Sequence, residues 1–456
     1  MERLSMKDKL GYGSASLADS LSYNFIATYF MFFLTTAVGI RPATAGMITV
    51  IGAVWNGFIN PVIGYFADHI RTSRGRRRPL ILFSSIPLAL TLLFAFTDFP
   101  FVSAEGKPFY YGILLMLFWL SYTGFLVPYL ALASEYTTDY DQRTILRFFA
   151  SMFNMAGALV NFLIPSVAVE WLQDAGVPLS LAWSLVGGMV GAVCFISILL
   201  TFLSSKKKDP PCVDSGARPG FNPADVFREY VSLFTLRPIR QLIVASIATL
   251  ICYSIMLADM VYFLTYNMKC TALQMSLFMS LRAVFGILLI PLVARLTVRF
   301  DKRGAFGLLS VIGIAGMVVL RMTGVGSTGG IICYMLMVTL CTAIYWSLMP
   351  SMYLDVCDYD RLKTGKRRQA TIVSFQGLVE AVSGGIGTML LGFLLQNAGF
   401  DGGAPVQTAS ACEWIFNCTT VIPGAFLAIA IIAVWRYPLT RSVHREIMEK
   451  IGETGE

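Results

Sequence analysis

Asn60 to Pro79 reads N-P-V-I-G-Y-F-A-D-H-I-R-T-S-R-G-R-R-R-P. A helix-length apolar run leads into it, another follows it, and five Arg crowd the short turn between them. Apolar runs of about 20 residues joined by short basic turns are the pattern of helices that cross a bilayer. The rest of the chain repeats this pattern. Of its 456 residues 56% are hydrophobic and only 14% charged, and the mean hydropathy is +0.67. A soluble domain carries about 25% charged residues, so this chain lacks the polar surface to face water on all sides. Disorder, collagen, a coiled coil and a small disulfide scaffold are excluded by the same numbers. The chain reads as an all-α, polytopic membrane protein.

A 20-residue window places spans near 11–38, 43–69, 78–98, 109–134, 144–169, 180–204, 239–266, 273–298, 305–322, 329–354, 370–397 and 415–437. Twelve spans put both termini on one side. Of the 35 Lys and Arg, 29 fall in the termini and the loops of that side. The opposite loops hold Arg41, Lys107, Lys269 and Arg321, and Arg147 and Arg282 lie within spans. That asymmetry predicts cytoplasmic N- and C-termini. The net charge of +8 is therefore a topology signal with no binding stripe, and no nucleic-acid partner is expected. The bilayer is the expected partner, with no obligate protein partner. No cleavable signal is expected, because Met1–Leu10 leads into an apolar run too long for a signal peptide. Cys412 and Cys418 share one predicted outer loop and could pair in an oxidising compartment, or remain free thiols.

One long internal linker, 205–238, divides the chain into bundles at 1–204 and 239–437, followed by a tail at 438–456. The halves echo each other. Glu135 to Arg143 reads E-Y-T-T-D-Y-D-Q-R after the fourth span, and Asp355 to Arg368 reads D-V-C-D-Y-D-R-L-K-T-G-K-R-R after the tenth. The shared D-Y-D at equivalent helix ends predicts two homologous halves. Were a two-half membrane protein of this kind a transporter, charges at these ends could close its inner mouth: Asp68, Glu135, Asp139, Arg143, Asp355, Asp358 and Arg367 are the candidates. Their bland alternative is solvated loop charge worth about 0–1 kcal/mol per pair.

The Asn60–Pro79 stretch, P-Y-x-A-L-x-x-E-Y-T-x-D-Y-D-x-R-T (Pro128 to Thr144) and L-D-V-C-D-Y-D-x-L-K-T-G-K-R-R (Leu354 to Arg368) together resemble the glycoside–pentoside–hexuronide:cation symporter family, the melibiose permease-like branch of the major facilitator superfamily. The resemblance covers nearly the whole chain in order. It implies the major facilitator fold, twelve transmembrane helices as two pseudo-symmetric six-helix bundles, and cation-coupled uptake of a sugar or glycoside by alternating access.

Residue by residue, the carry-over is uneven. The family's two cation-binding acids on the second span correspond to Asn56 and Asn60; an amide offers a carbonyl oxygen but neither charge nor proton. The accompanying threonine is Thr123, beside Tyr122. The family's sugar-binding acid on the first span falls at or next to Asp19, while the one on the fourth span corresponds to Leu126. The fifth-span arginine is Arg147, the tenth-span tryptophan is Trp346, and the eleventh-span lysine corresponds to Ala381, next to Glu380.

Without the resemblance, charges in the spans still demand explanation, since each costs at least about 2.5–3.5 kcal/mol at the bilayer centre. Asp19, Arg147, Asp259, Arg282 and Glu380 stand out. Asp259 with Arg282 is the first ion pair to expect, holding the bundle together or serving function. Gln376 and Glu380, four residues apart, share a helix face, and a carboxylate buried there could bind and release a proton. Glu380, with Asp19 second, is the candidate replacement for the missing cation acids; a polar group that only touches substrate is the alternative. Tyr345 and Trp346, and more weakly Tyr129, could stack on a sugar ring, or could simply pack against lipid or a neighbouring helix.

The sequence holds no G-x-x-x-x-G-K-[ST], H-E-x-x-H or G-x-S-x-G motif, so no ATP-driven transport, hydrolysis or tightly bound cofactor is expected, and no metal centre. The expected function is secondary transport of a sugar or glycoside across the plasma membrane, with H⁺ favoured over Na⁺ as coupling ion. An uncoupled facilitator, a carrier of anionic sugars such as hexuronides, and a membrane sensor that no longer transports are the alternatives.

Overall fold

The computed structural model describes residues 5–69, 77–136, 140–207, 223–365 and 368–453. Their regular structure is entirely helical. In order the helices are α1 (Met6–Thr36), α2 (Pro42–His69), α3 (Arg78–Ala95), α4 (Lys107–Tyr136), α5 (Tyr140–Asp174) and α6 (Leu179–Ser204), then α7 (Pro223–Leu233) and α8 (Arg237–Tyr262). They continue as α9 (Ala272–Thr323), α10 (Thr328–Thr364), α11 (Gln369–Asn397), α12 (Ala409–Thr419), α13 (Val421–Trp435) and α14 (Arg441–Glu453). Without water in the hydrocarbon, backbone N–H and C=O groups must pair within the chain, and a helix does this locally.

Ten of the described helical stretches are long and apolar enough to cross a membrane. The difference from twelve sequence spans lies in two places. First, α9 runs for 52 residues through a kink at Asp301 (φ 65, ψ 165). At 1.5 Å per residue that is roughly 78 Å, enough for two crossings of a core about 30 Å thick. Second, α1 is long enough at 31 residues but carries Ser14, Ser16, Asp19, Ser20, Ser22 and Asn24. Those polar groups dilute its hydropathy while serving the site described below. Its start is fixed by a capping box, Ser5 with Asp8.

The linker read as a loop contains a helix. Residues Pro223–Leu233 form α7, which a search for 20-residue apolar runs passes over. Cys412 and Cys418 are free thiols on the single helix α12. Six residues of helix rise about 9 Å and turn the two side chains onto different faces, so they cannot reach the geometry of a disulfide.

The described chain forms two compact units. The first comprises Met1–Gly220 with Cys270–Ser280 and Gly399–Gln407; the second comprises Phe221–Lys269, Leu281–Ala398 and Thr408–Glu456. Many of the large apolar side chains left exposed on the helices, such as Phe83, Leu181, Ile196, Leu288 and Ile432, suit a lipid environment.

Helices approach closely where side chains vanish. In the first unit, a Cβ placed on Gly157 of α5 would lie 2.5 Å from the Leu17 carbonyl of α1. One placed on Gly191 of α6 would lie 2.6 Å from the Ala89 carbonyl of α3. Backbone, unlike a side-chain tip, cannot step aside. Gly191→Ala is therefore expected to cost about 1–3 kcal/mol and to lower the thermal unfolding midpoint in detergent. Gly112→Ala, where nothing lies within 4 Å, is expected to leave that midpoint unchanged.

Candidate functional site

In the first unit α1 brings Asp19 against α4 and α5. Tyr122 Oη donates to Asp19 Oδ1 at 2.6 Å, and Asn154 Nδ2 donates to Oδ2 at 3.2 Å. Asp19 is half-buried, and each of its oxygens has a donor. Asn154 has no counterpart among the sequence candidates; only its place on the face of α5 turned toward α1 reveals it. Tyr129 is buried beneath this pair, stacked on Tyr12 with ring centroids 4.8 Å apart, and its hydroxyl meets Ser16 Oγ at 2.6 Å. With its hydroxyl engaged and its ring covered, Tyr129 serves packing here. Arg147 is exposed on α5 and acts electrostatically on the Tyr12 hydroxyl.

Next to Tyr122, the residues that the resemblance aligns with a cation site also converge. Asn56 Oδ1 accepts from Thr123 Oγ1 at 3.0 Å and from Asn60 Nδ2 at 3.1 Å, and Asn60 Nδ2 reaches the Asn56 carbonyl at 2.8 Å. An amide oxygen has two lone pairs. Both are occupied by donors, whereas among the described residues no hydrogen bond is made to Asn60 Oδ1.

The second unit has a parallel arrangement built from different helices. Glu380 Oε1 on α11 accepts from Tyr345 Oη of α10 at 2.9 Å and from Gln376 Nε2 one turn earlier at 2.8 Å. Among the described residues no hydrogen bond is made to Oε2. Tyr345 is buried, whereas Trp346 is 48% exposed and stands edge-on to it, 5.4 Å between centroids. Ser246 of α8 meets Tyr353 of α10 at 3.2 Å, as Ser16 of α1 meets Tyr129 of α4. This repeated Ser–Tyr contact is a structural echo of the D-Y-D repeat that sequence reading missed.

Asp259 and Arg282 are not joined by a salt bridge among the described residues. Asp259 is fully buried on α8, with its Oδ2 hydrogen-bonded to Thr419 Oγ1 at 2.8 Å. The Arg282 guanidinium lies 6.0 Å from the Tyr253 ring centroid. Both residues are electrostatic neighbours of the Tyr334 hydroxyl, so they share a neighbourhood without touching.

Of the charges proposed to close the inner mouth, the side chains of Asp68, Glu135, Asp139, Arg143 and Arg367 lie outside the described residues. Asp355 and Asp358 have partners within their own unit. Lys302 Nζ, one residue past the kink in α9, contacts both Asp355 oxygens at 2.6 and 2.7 Å. His444 Nε2 of α14 lies 3.0 Å from Asp358 Oδ2 and 3.8 Å from Asp355 Oδ1. The next acid, Asp360, is gripped by Arg368 through Nε at 2.9 Å and Nη2 at 2.5 Å. That bidentate hydrogen bond holds the guanidinium above its ordinary pKa range. Arg368 Nη1 also donates to Ser232 of α7 at 2.7 Å. Lys302, His444 and Arg368 were legible only as basic loop residues.

Asp355 is 9% exposed, so removing its cation strands a nearly buried charge. Lys302→Ala is expected to destabilise the protein by about 2–3 kcal/mol, read as a lower unfolding midpoint. Adding Asp355→Asn should recover most of that loss; no recovery would mean the contact is incidental.

Helices long and apolar enough to cross a membrane, with a half-buried carboxylate against a tyrosine hydroxyl in each unit, suit a membrane carrier of small molecules. The chain belongs to the family described as MFS/sugar transport protein, whose model matches residues 11–441. It is 26% identical to the inner membrane symporter YicJ of Escherichia coli strain K12, over 99% of this chain and 96% of that one. It is 24% identical to the putative glycoside/cation symporter YagG of the same organism, over 100% of this chain and 98% of that one. The crystal structure of the nucleoside transporter NupG superposes with a TM-score of 0.69 over 95% of this chain and 100% of that one, at 12% identity. That likeness supports the major facilitator fold.

Proposed function

We propose that the protein is a proton-coupled symporter that moves a neutral sugar or glycoside across the plasma membrane by alternating access. Twelve crossings and cytoplasmic termini complete this reading, the latter resting on the distribution of Lys and Arg. The observation that carries it is the contrast between two kinds of polar cluster. At Asn56, Asn60 and Thr123 the groups are neutral, and the Asn56 side-chain oxygen already accepts two hydrogen bonds, which leaves it no lone pair for Na⁺ and the cluster no carboxylate. At Asp19 and Glu380 a carboxylate is held by tyrosine hydroxyls and amides, and a carboxylate can take up a proton or a sugar hydroxyl. In the second unit, Trp346 next to Tyr345 offers an aromatic face that suits the C–H side of a sugar ring; in the first unit, Arg147 carries a planar fork that suits hydroxyls. The relative described as a glycoside/cation symporter supports the substrate class.

The neutral amide cluster also favours a second reading, an uncoupled facilitator, in which no ion replaces the family's cation. Proteoliposome counterflow with a panel of labelled neutral sugars, glycosides and hexuronides tests the substrate class. Exchange of a neutral glycoside that acidic sugars do not compete away supports the proposal. Exchange confined to hexuronides would make the substrate an anion, and no exchange with any member would overturn the sugar assignment.

A further inference from the structure

Thr419 lies at a break that the sequence causes. Pro423 has no N–H to offer the carbonyl four residues earlier, and its ring crowds that carbonyl. The carbonyl belongs to Thr419, and the helix is interrupted at Thr420 (φ −126, ψ −68), ending α12 and starting α13. Facing it, α8 passes into a π-helical turn over Phe263–Asn267, four residues beyond Asp259. π-turns and interrupted membrane helices recur at functional sites, because they open places that regular backbone would close. Asp259 and Thr419 join two irregular helices.

The hydrogen bonding there is short of one proton. Thr419 Oγ1 lies 2.8 Å from Asp259 Oδ2 and 3.0 Å from the Ile415 carbonyl. A hydroxyl has one hydrogen to donate, so an ionised Asp259 would leave one of these contacts without a proton. Asp259 Oδ1 is buried with no hydrogen-bond partner, and no cationic side chain lies within 4 Å of the carboxyl among the described residues. An anionic oxygen in that setting is far costlier than a neutral one. A proton on Oδ2 removes the conflict: Asp259 then donates to Thr419 Oγ1, and Thr419 donates to Ile415.

We propose that Asp259 is a proton-binding site of the second unit, occupied as the neutral carboxylic acid in this conformation and separate from the Glu380 cluster. The surrounding elements supply few competing groups. Tyr334 comes from α10 and Cys418 from α12. Arg282 of α9 acts on the Tyr334 hydroxyl. On α11 the only titratable side chain is Glu380, which instead acts on Tyr345 and Tyr353, and α13 carries none. Sodium fits poorly, because the pair offers only one carboxyl and one hydroxyl where a cation needs a fuller oxygen shell. The assignment stands whatever the transported molecule is, and whether or not Glu380 carries the coupling proton.

The test is infrared spectroscopy of the purified full-length protein in lipid at neutral pH, reading the C=O stretch of protonated carboxyls. Asp259→Asn is expected to lose one such band that persists in Asp19→Asn and Glu380→Gln, and Thr419→Val is expected to shift it. Should Asp259→Asn fail to fold, the band is sought in Asp19→Asn with aspartate carrying a ¹³C carboxyl, where a band that moves with the isotope and again on Thr419→Val is that of Asp259. A spectrum in which Asp259→Asn matches the wild type, or in which the isotope shifts no protonated band, means that Asp259 is ionised and overturns the proposal.

Discussion

Glu380→Gln is expected to lose uphill uptake while retaining downhill exchange. Glutamine has the shape of glutamate, and its carbonyl oxygen can still accept from Tyr345 and Gln376, which both address Oε1 alone. What it lacks is a proton-binding oxygen. Proton-driven accumulation should therefore fall by about tenfold or more, the scale of ordinary coupling free energies, with counterflow of the same substrate little changed. Both rates are read in one proteoliposome preparation. If Glu380→Gln still accumulates substrate to the wild-type level with the wild-type pH profile, Glu380 does not carry the coupling proton.

Asp19→Asn should fail differently. Both Asp19 oxygens accept hydrogen bonds, from Tyr122 and Asn154, and an asparagine there must point its amide N–H groups at one of these donors. The charge-assisted bond that we propose between this carboxylate and a substrate hydroxyl would be lost as well, and hydrogen bonds to charged groups are worth about 1.5–3 kcal/mol. Apparent affinity should drop by roughly ten- to a hundredfold, since 1.4 kcal/mol is a factor of ten. Exchange and accumulation should fall together. Tyr122→Phe, which keeps the charge and removes one donor, should show a smaller loss in the same direction. An unchanged KM in Asp19→Asn would remove Asp19 from the substrate site.

The apolar runs and their basic turns made the membrane architecture legible, because both the bilayer and its charge asymmetry act on local sequence. Glu380 and Gln376 were also legible as a pair, since one helix fixes their spacing. Contacts between helices were not. Asn154 beside Asp19, and Lys302 beside Asp355, are set by packing across 135 and 53 residues of chain. A count of Lys and Arg treats Lys302 as a topology marker and gives His444 no role. Expecting a salt bridge between Asp259 and Arg282 assumed that charges on neighbouring spans must meet, whereas Thr419, a neutral residue at a proline-induced break, holds the acid. Pro423 itself was visible, four residues after Thr419, but its effect depends on which carbonyl it faces once the helix forms.

The central claim is that protons, bound at carboxylates, drive the transport cycle while the amide cluster at Asn56 and Asn60 binds no coupling cation. The most direct test is uptake of the best counterflow substrate into proteoliposomes with H⁺ and Na⁺ gradients imposed separately. Accumulation is expected under an inward H⁺ gradient alone, abolished by a protonophore and indifferent to Na⁺. Accumulation driven by Na⁺ alone, or equilibration that responds to neither gradient, would contradict it.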